Sequence, residues 1–291
     1  MAEILRGAEV VRALNERTAA QVAALKEQGI NPQLAIVRLG EREDELAYER
    51  GAMKRCEGVG VSVRQVIFPE QTTQEELVET IRALNADDAI HGVLLLRPLP
   101  RHIDDDVVRN ALSSHKDIDG ITDAAAAGVF TSRKGAFVPC TSHACMEILD
   151  HFGIELEGKK AVVVGRSLVV GKPAAMMLLD RNATVTIAHS RTCSLAEVVR
   201  NADIVIACVG RAKMITAEYL RAGQVVIDVG INVDETGALV GDVDFEAAQD
   251  IVRAITPVPG GVGTVTTSVL VKHVAQAAAR TRTENQLTHL Y

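Results

Sequence analysis

Four runs in the second half of the chain, KAVVVG (160–165), ATVTIAHS (183–190), DIVIACVG (203–210) and QVVIDVGI (224–231), are apolar and β-branched almost throughout. Runs of this kind read as strands buried on both faces, the way parallel sheets bury them. Between them lie KPAAMMLLDR (172–181), SLAEVVRNA (194–202) and AEYLRAG (217–223), which carry helical periodicity. Parallel strands need crossover connections, and helices usually supply them. The alternation therefore predicts an α/β fold of parallel strands joined by crossover helices.

The first half keeps the rhythm more loosely. Residues 8–28 have apolar side chains at helical spacing and stop at Gly29; LAIVRLG (34–40) reads as a strand and 43–59 as a helix ended by Gly58 and Gly60. VSVRQVIF (61–68) is a strand, 72–87 a helix capped by Thr72 or Thr73, GVLLLRPLP (92–100) a strand broken by prolines, and 104–113 a short helix. A helix over 142–153 opens the second half, so a boundary is expected near 139–142. The final helix is expected over 265–281, after PVPGGVG, with TENQLTHLY as a loose tail. A length of 291 residues fits two domains at roughly 150 residues each.

Composition removes several function classes. Lys and Arg total 31 against 38 Asp and Glu, a net charge of −7, which argues against a broad nucleic-acid or anionic-membrane surface. Five Phe, three Tyr and no Trp leave little for base-stacking platforms. The five cysteines show neither C-x-x-C nor zinc-ligand spacing, so no metal is expected. No apolar run is long enough for a membrane span, and the first residues mix charges with apolar side chains at helical period. A cytoplasmic, thiol-reduced protein is expected.

VVVGRSLVVGKP (162–173) reads as strand, glycine turn and helix, with Pro173 in the first turn. Backbone N–H groups there suit a phosphate. Gly165 and Gly171 are six apart, which is not G-x-G-x-x-G, and a tightly packed strand–turn–helix explains the segment equally well. The strand that follows ends in HSRT (189–192). An acid at that point would suit NAD, whereas Ser190 and Arg191, with Arg166, suit the 2′-phosphate of NADP. A solvated surface arginine is the competing reading of Arg191. His189 reads as a partner for backbone groups, His143 as a surface helix residue, and Cys140 as an inert buried thiol.

GRSLVVGKP, NATVTIAHSRT, ADIVIACVG, VVIDVGIN, GDVDF and TPVPGGVGTVT, together with PCTS and KDIDG, occur in one order and spacing. They closely resemble the methylenetetrahydrofolate dehydrogenase/methenyltetrahydrofolate cyclohydrolase family, over about residues 1–282. The resemblance implies two α/β domains flanking a cleft: a folate-binding domain of residues 1–140 and 270–291, and a Rossmann-type NADP-binding domain of residues 141–269. It implies that the last helix returns to the first domain and that the assembly is a homodimer. Tyr48 and Asp119 are the implied catalytic residues. Leu99, Pro259, Gly260 and Gly261 join them as implied substrate contacts. The implied cofactor contacts are Thr141, Gly165, Arg166, Ser167, Ser190, Arg191, Gly210, Ile231 and Thr266. Asp119 suits the pterin because a carboxylate accepts two N–H bonds from an amino-pyrimidine edge; a turn aspartate beside Gly120 is the plainer reading.

The chain departs from the family pattern where it matters for chemistry. The family lysine four residues after the tyrosine is Ala52, and the family glutamine position falls on Leu96. Lys54 matches a second family lysine and is turned away from Tyr48's face, while Arg55 returns to that face but stays protonated. Arg97 would serve only if its strand shifted by one residue. Thr264 replaces a family proline, and PCTPxG has become PCTSHA, with Ser142 and Ala144. Hydride transfer needs mainly positioning, whereas hydrolysis of the methenyl product needs acid–base help worth roughly 10²–10⁴-fold. The expectation is an NADP-dependent oxidation of 5,10-methylenetetrahydrofolate with weak or absent cyclohydrolase activity. The rivals are a fully bifunctional enzyme, a folate- or nucleotide-binding paralogue without turnover, and a dehydrogenase of a related one-carbon substrate. Intact nucleotide motifs argue against the pure binder.

Overall fold

The computed structural model describes residues 1–288, with side chains through Arg280. It separates into two compact units, one formed by residues 1–12 with 139–266 and the other by 13–138 with the chain from 267 onward. The chain opens with β1 (Glu3–Ile4) and α1 (Gly7–Glu27).

One unit holds a three-stranded parallel sheet of β2 (Gln33–Leu39), β3 (Ser62–Phe68) and β4 (Gly92–Leu95), in the order β3-β2-β4. Central β2 is buried along nearly its whole length, while edge strand β3 alternates between exposed and half-buried positions. Its helices are α2 (Glu43–Val59), α3 (Gln74–Ala86), α4 (Asp105–Ala111) and α5 (Asp123–Phe130). Thr73 and Glu76 form a reciprocal capping box at the start of α3, which satisfies two backbone donors that a helix end leaves open. Leu77, Ile81 and Leu84 of α3 share a core with Ala35, Val37, Leu39, Val93 and Leu95 of the sheet.

The other unit follows with α6 (Cys140–His151), β5 (Lys160–Val164), α7 (Gly171–Asp180), β6 (Thr184–Ala188), α8 (Leu195–Arg200), β7 (Ile204–Ala207) and β8 (Val225–Asp228). A hairpin of β9 (Asn232–Val233) and β10 (Leu239–Val240), then α9 (Phe245–Ala248) and β11 (Ala254–Ile255), lead to α10 (Val262–Thr288). The six-stranded sheet has the order β1-β11-β8-β7-β5-β6, and every pairing is parallel. This is a Rossmann-like α/β sheet.

Several expectations need correction. Residues 1–12 belong with the six-stranded sheet and not with the first domain, because β1 pairs with β11 through Glu3↔Ala254 and Ile4↔Ile255. The helix expected over 217–223 is one 3₁₀ turn, Ala217–Tyr219; Leu220 is already extended, and the Arg221 N–H is taken by Gln224 Oε1 at 2.7 Å. The strand expected over 92–100 ends at Leu95. The last helix starts at Val262, ahead of 265, and continues to Thr288 through most of the expected loose tail. Residues 289–291 of that tail lie outside the described residues.

Candidate functional site

In the six-stranded sheet, β6 lies on one side of β5 and β7 on the other, so the winding reverses between β5 and β7. Ligands of such sheets bind beyond the carboxyl ends of the strands at that reversal. Gly165 follows β5 at φ +136°, and a Cβ on it would lie 2.3 Å from the carbonyl oxygen of Cys208, just beyond β7. A Cβ on Gly171, at the start of α7, would lie 2.4 Å from the Gly165 carbonyl oxygen. Both glycines are therefore required by close backbone approach, and together they form a side-chain-free cradle at a helix start. Ser167 Oγ accepts the N–H groups of Val170 at 3.1 Å and Gly171 at 3.4 Å. It thereby fixes the turn in which Arg166 is exposed.

The turn after β6 is built around His189. Its backbone N–H donates to Thr192 Oγ1 at 2.8 Å, its carbonyl accepts the Thr192 N–H at 2.9 Å, and its Nδ1 accepts the Arg191 N–H at 3.2 Å. Nδ1 is thus the unprotonated ring nitrogen. The turn presents Ser190 and Arg191 with exposed side chains.

Two carboxylates organise the loops after β7 and β8. Asp242, fully buried, accepts the N–H groups of Val209 at 2.6 Å, Gly210 at 3.0 Å and Arg211 at 2.9 Å, and the Asn232 amide at 3.0 Å. Asp228 accepts the N–H groups of Gly230, Asp242 and Val243 at 2.9, 3.0 and 2.9 Å. Burial pushes the Asp228 carboxyl up to about 6. A Cβ on Gly241 would lie 1.9 Å from Asp228 Oδ2, and one on Gly230 would lie 2.4 Å from the Asp242 carboxylate, so both glycines are forced by these carboxylates. Asp228 lies in VVIDVGIN and Asp242 in GDVDF, and the neighbouring Gly230 and Gly241 are the signal that marks them in the sequence.

Gly230, Ile231, Leu239, Pro259, Gly260 and Gly261 border a cavity of about 210 Å³. A Cβ on Gly261 would lie 2.4 Å from the Pro257 carbonyl oxygen, and the Gly260 carbonyl accepts the Gly7 N–H at 2.8 Å. Ile231 is 67% exposed, an uncommon state for a large aliphatic side chain at a cavity edge. Thr266 is buried and donates to the Val262 carbonyl at 3.3 Å. Thr141 sits half-buried in the first turn of α6.

In the other unit Tyr48 is half-buried on α2, and the buried face of that helix carries Glu45, Glu49, Ala52 and Cys56. Glu49 pairs with Arg38 of β2 at 2.9 Å and accepts the Gln65 amide of β3 at 2.7 Å. Burial pushes the Glu45 carboxyl up. Ala52 is wholly buried and Leu96 is 5% exposed, so neither expected polar position carries a titratable group. Lys54 is exposed, and Arg55 is half-buried, with burial lowering its pKa. Arg97 pairs with Asp105 and does not replace the side chain at 96. Leu99 packs against the sheet–helix core of its unit.

The KDIDG turn has buried Asp117 accepting the N–H groups of Ile121 at 3.0 Å and Thr122 at 2.8 Å. Gly120 follows at φ +67°, and Asp119 is half-buried at the tip. Cys140 is buried, and His143 lies 3.5 Å from Glu147 one turn along α6. Among the described residues no cluster of His, Cys, Asp and Glu has the arrangement of a metal site, and no helix is long and apolar enough to cross a membrane.

Known proteins resemble this chain at the level of family, sequence and fold. Residues 5–119 match the family described as tetrahydrofolate dehydrogenase/cyclohydrolase, catalytic domain, and residues 139–282 match its NAD(P)-binding domain. A bifunctional protein FolD of Alkaliphilus oremlandii is 48% identical over 95% of this chain and 97% of its own length. The bifunctional FolD methylenetetrahydrofolate dehydrogenase/cyclohydrolase of Campylobacter jejuni superposes with a TM-score of 0.94 at 36% identity, covering 96% of this chain and 99% of its own. The Trypanosoma brucei methylenetetrahydrofolate dehydrogenase-cyclohydrolase, solved with NADP and an inhibitor, has a TM-score of 0.89 at 35% identity, over 96% of this chain and 98% of its own.

Proposed function

The chain belongs to the tetrahydrofolate dehydrogenase/cyclohydrolase family, and on that premise we propose that it oxidises 5,10-methylenetetrahydrofolate to 5,10-methenyltetrahydrofolate with NADP, without effective hydrolysis of the product. The observation that carries the second half is the pair of buried apolar side chains, Ala52 and Leu96, at the two positions where the resemblance expects a lysine and a glutamine.

NADP fits the residues present. The cradle made by Gly165 and Gly171 has no room for a Cβ at either position, which suits a pyrophosphate held by backbone N–H groups. Ser190, Arg191 and Arg166 are exposed and supply hydroxyl and guanidinium groups for a 2′-phosphate. Gly210 and Ile231 lie on loops fixed by Asp242 and Asp228, and Thr141 and Thr266 complete the assigned contacts. When bound, NADP supplies the two-electron acceptor for a hydride from the methylene carbon.

The residues of this chain bind and orient the two ligands. Asp119 accepts N–H groups of the pterin, Tyr48 contacts the folate ring system, and Leu99, Pro259, Gly260 and Gly261 provide apolar and backbone contacts. Loss of hydride leaves the methenyl cation, so the oxidation needs no proton taken by the protein. Hydrolysis to the 10-formyl compound takes up water and releases one proton, which a base must accept. Ala52 and Leu96 offer none. The nearby Glu49 carboxylate is occupied by Arg38 and Gln65.

The bifunctional reading keeps one specific support: Glu45, buried on the Ala52 face of α2 with its carboxyl pushed up, is a titratable group of suitable character. Loss of cyclohydrolase turnover on Glu45→Gln would favour it. The five free thiols fit a reducing, cytoplasmic setting, and the family resemblance implies a homodimer. Reduction of NADP by methylenetetrahydrofolate in purified protein tests the dehydrogenase; its absence would favour the binding paralogue, and turnover only with another one-carbon donor would favour the related-substrate enzyme.

A further inference from the structure

Asp119 sits at the tip of a turn whose three preceding residues are each anchored. Lys116 Nζ donates to the carbonyls of Leu84 at 2.9 Å and Asp87 at 2.7 Å, and its own carbonyl accepts the Val93 N–H at 2.8 Å. Asp117 caps the turn that follows. Ile118 is fully buried against the start of β4, where a Cβ on Gly92 would lie 2.8 Å from both Ile118 Cγ1 and Cγ2 and 3.3 Å from Val274 Cγ2. The remaining anchor comes from α10. His273, 1% exposed, places Nδ1 2.7 Å from the Ile118 carbonyl oxygen. A carbonyl only accepts, so Nδ1 carries the hydrogen.

The imidazole is itself braced. Phe137 lies with its ring centroid 5.2 Å from that of His273, inclined at 44°, and the Arg280 guanidinium lies 4.2 Å from the Phe137 centroid. Arg280 also donates to the Gly135 carbonyl. His273 and Arg280 are two turns apart on α10 and grip the same aromatic ring. The ring plane of His273 is thus set by packing, and its one donor at the δ position is aimed at the peptide linking Ile118 to Asp119.

We propose that His273 is a positioning residue: by holding the Ile118 carbonyl it fixes the peptide plane from which the Asp119 carboxylate is presented to folate. The inference rests on the assignment of Asp119 to the pterin. Rotation of that peptide displaces the carboxylate, and displacements of about 1 Å in bound groups have large kinetic effects. The nicotinamide nucleotide contacts lie in the other unit and are untouched.

The test uses the full chain and three variants. His273→Asn keeps a donor at the δ position, His273→Leu removes it, and His273→Gln moves it further from the backbone. In His273→Leu the KM for methylenetetrahydrofolate should rise about fivefold, the weight of one ordinary buried hydrogen bond. The KM for NADP should stay unchanged, and His273→Asn should behave as the parent. In an Asp119→Ala background, which removes the side chain that the peptide presents, His273→Leu should have no further effect on folate binding measured by calorimetry. An unchanged folate KM, or equal rises in both KM values, would overturn the proposal. If the leucine variant fails to fold, the glutamine variant is read by the same two outcomes. Parent protein that neither turns over nor binds folate would defeat the Asp119 assignment first; active parent protein with a silent His273→Leu defeats only the role of His273.

Discussion

Ala52 follows Tyr48 by one turn on α2 and is wholly buried, so the helix presents a methyl group where the resemblance expects an amine beside the tyrosine. Positions i and i+4 share a helix face, and the acidic residues buried with Ala52 on α2, Glu45 and Glu49, carry carboxylates where the resemblance expects an amine. Leu96, beyond the end of β4, repeats the substitution of an apolar for a polar side chain.

On the proposed reading, Ala52→Lys with Leu96→Gln should raise methenyl hydrolysis. Positioned acid–base groups contribute roughly 10²–10⁴-fold, so a gain of at least about tenfold in methenyl hydrolysis is expected even from an imperfectly placed lysine. The decay of the methenyl chromophore measures it. Ala52→Lys alone should gain less, because a buried ammonium without its amide partner is poorly held.

Asp119→Ala should abolish folate turnover while NADP binding, followed by calorimetry, stays intact. Asp119→Asn should keep part of the folate affinity, since an amide oxygen still accepts one N–H group but loses the charge-assisted pair.

Arg191→Ala should lower kcat/KM for NADP by about tenfold or more and leave the value for NAD nearly unchanged, since only the 2′-phosphate needs the guanidinium. The side chain is exposed, so thermal stability should not move. An equal loss with both nucleotides would remove Arg191 from phosphate recognition.

Asp242→Ala leaves the N–H groups of Val209, Gly210 and Arg211 without their shared acceptor. The expected cost is about 2–4 kcal/mol of stability, with a raised KM for NADP. Denaturant unfolding and nucleotide kinetics on the same preparation check both.

Asp228 gives a pH dependence with a definite sign. Its carboxyl titrates at about 6 in the fold, against an ordinary value of 3.8, because burial disfavours the charge. The folded chain therefore holds this proton more tightly than the unfolded chain; the resulting stabilisation is full below about pH 4 and is lost as the pH rises through about 6, up to about 3 kcal/mol over the whole transition. Parent protein should exceed Asp228→Asn in stability by a larger margin at pH 4.5 than at pH 7. A constant margin would contradict the shift.

Much of this fold is legible in the sequence because its signals are local. β5, β6, β7 and β8 stand out as short β-branched runs, and a threonine cap for α3 follows from residue type, Thr72 and Thr73 both being candidates until the fold selects Thr73. The loss at Ala52 is visible for the same reason, since one helix turn fixes it. β1 is not legible: two residues carry no periodicity, and Glu3 finds its partner Ala254 only in the folded sheet. The helix expected at 217–223 failed because Gln224 captures the Arg221 N–H, a contact that helical spacing does not reveal. The support of Gly210 by Asp242 and of Ile118 by His273 spans 32 and 155 positions of chain. No motif spacing encodes such distances, so the residues that aim the site are less legible than those that touch the ligand.

The central claim concerns two reactions on one protein, and a single measurement reads both. Purified parent protein is supplied with methylenetetrahydrofolate and NADP, and NADPH formation is followed together with the methenyl chromophore. The account predicts that the chromophore accumulates in step with NADPH and then decays no faster than in buffer without protein. NADPH formation with chromophore decay that scales with protein concentration would show an intact cyclohydrolase and contradict the account.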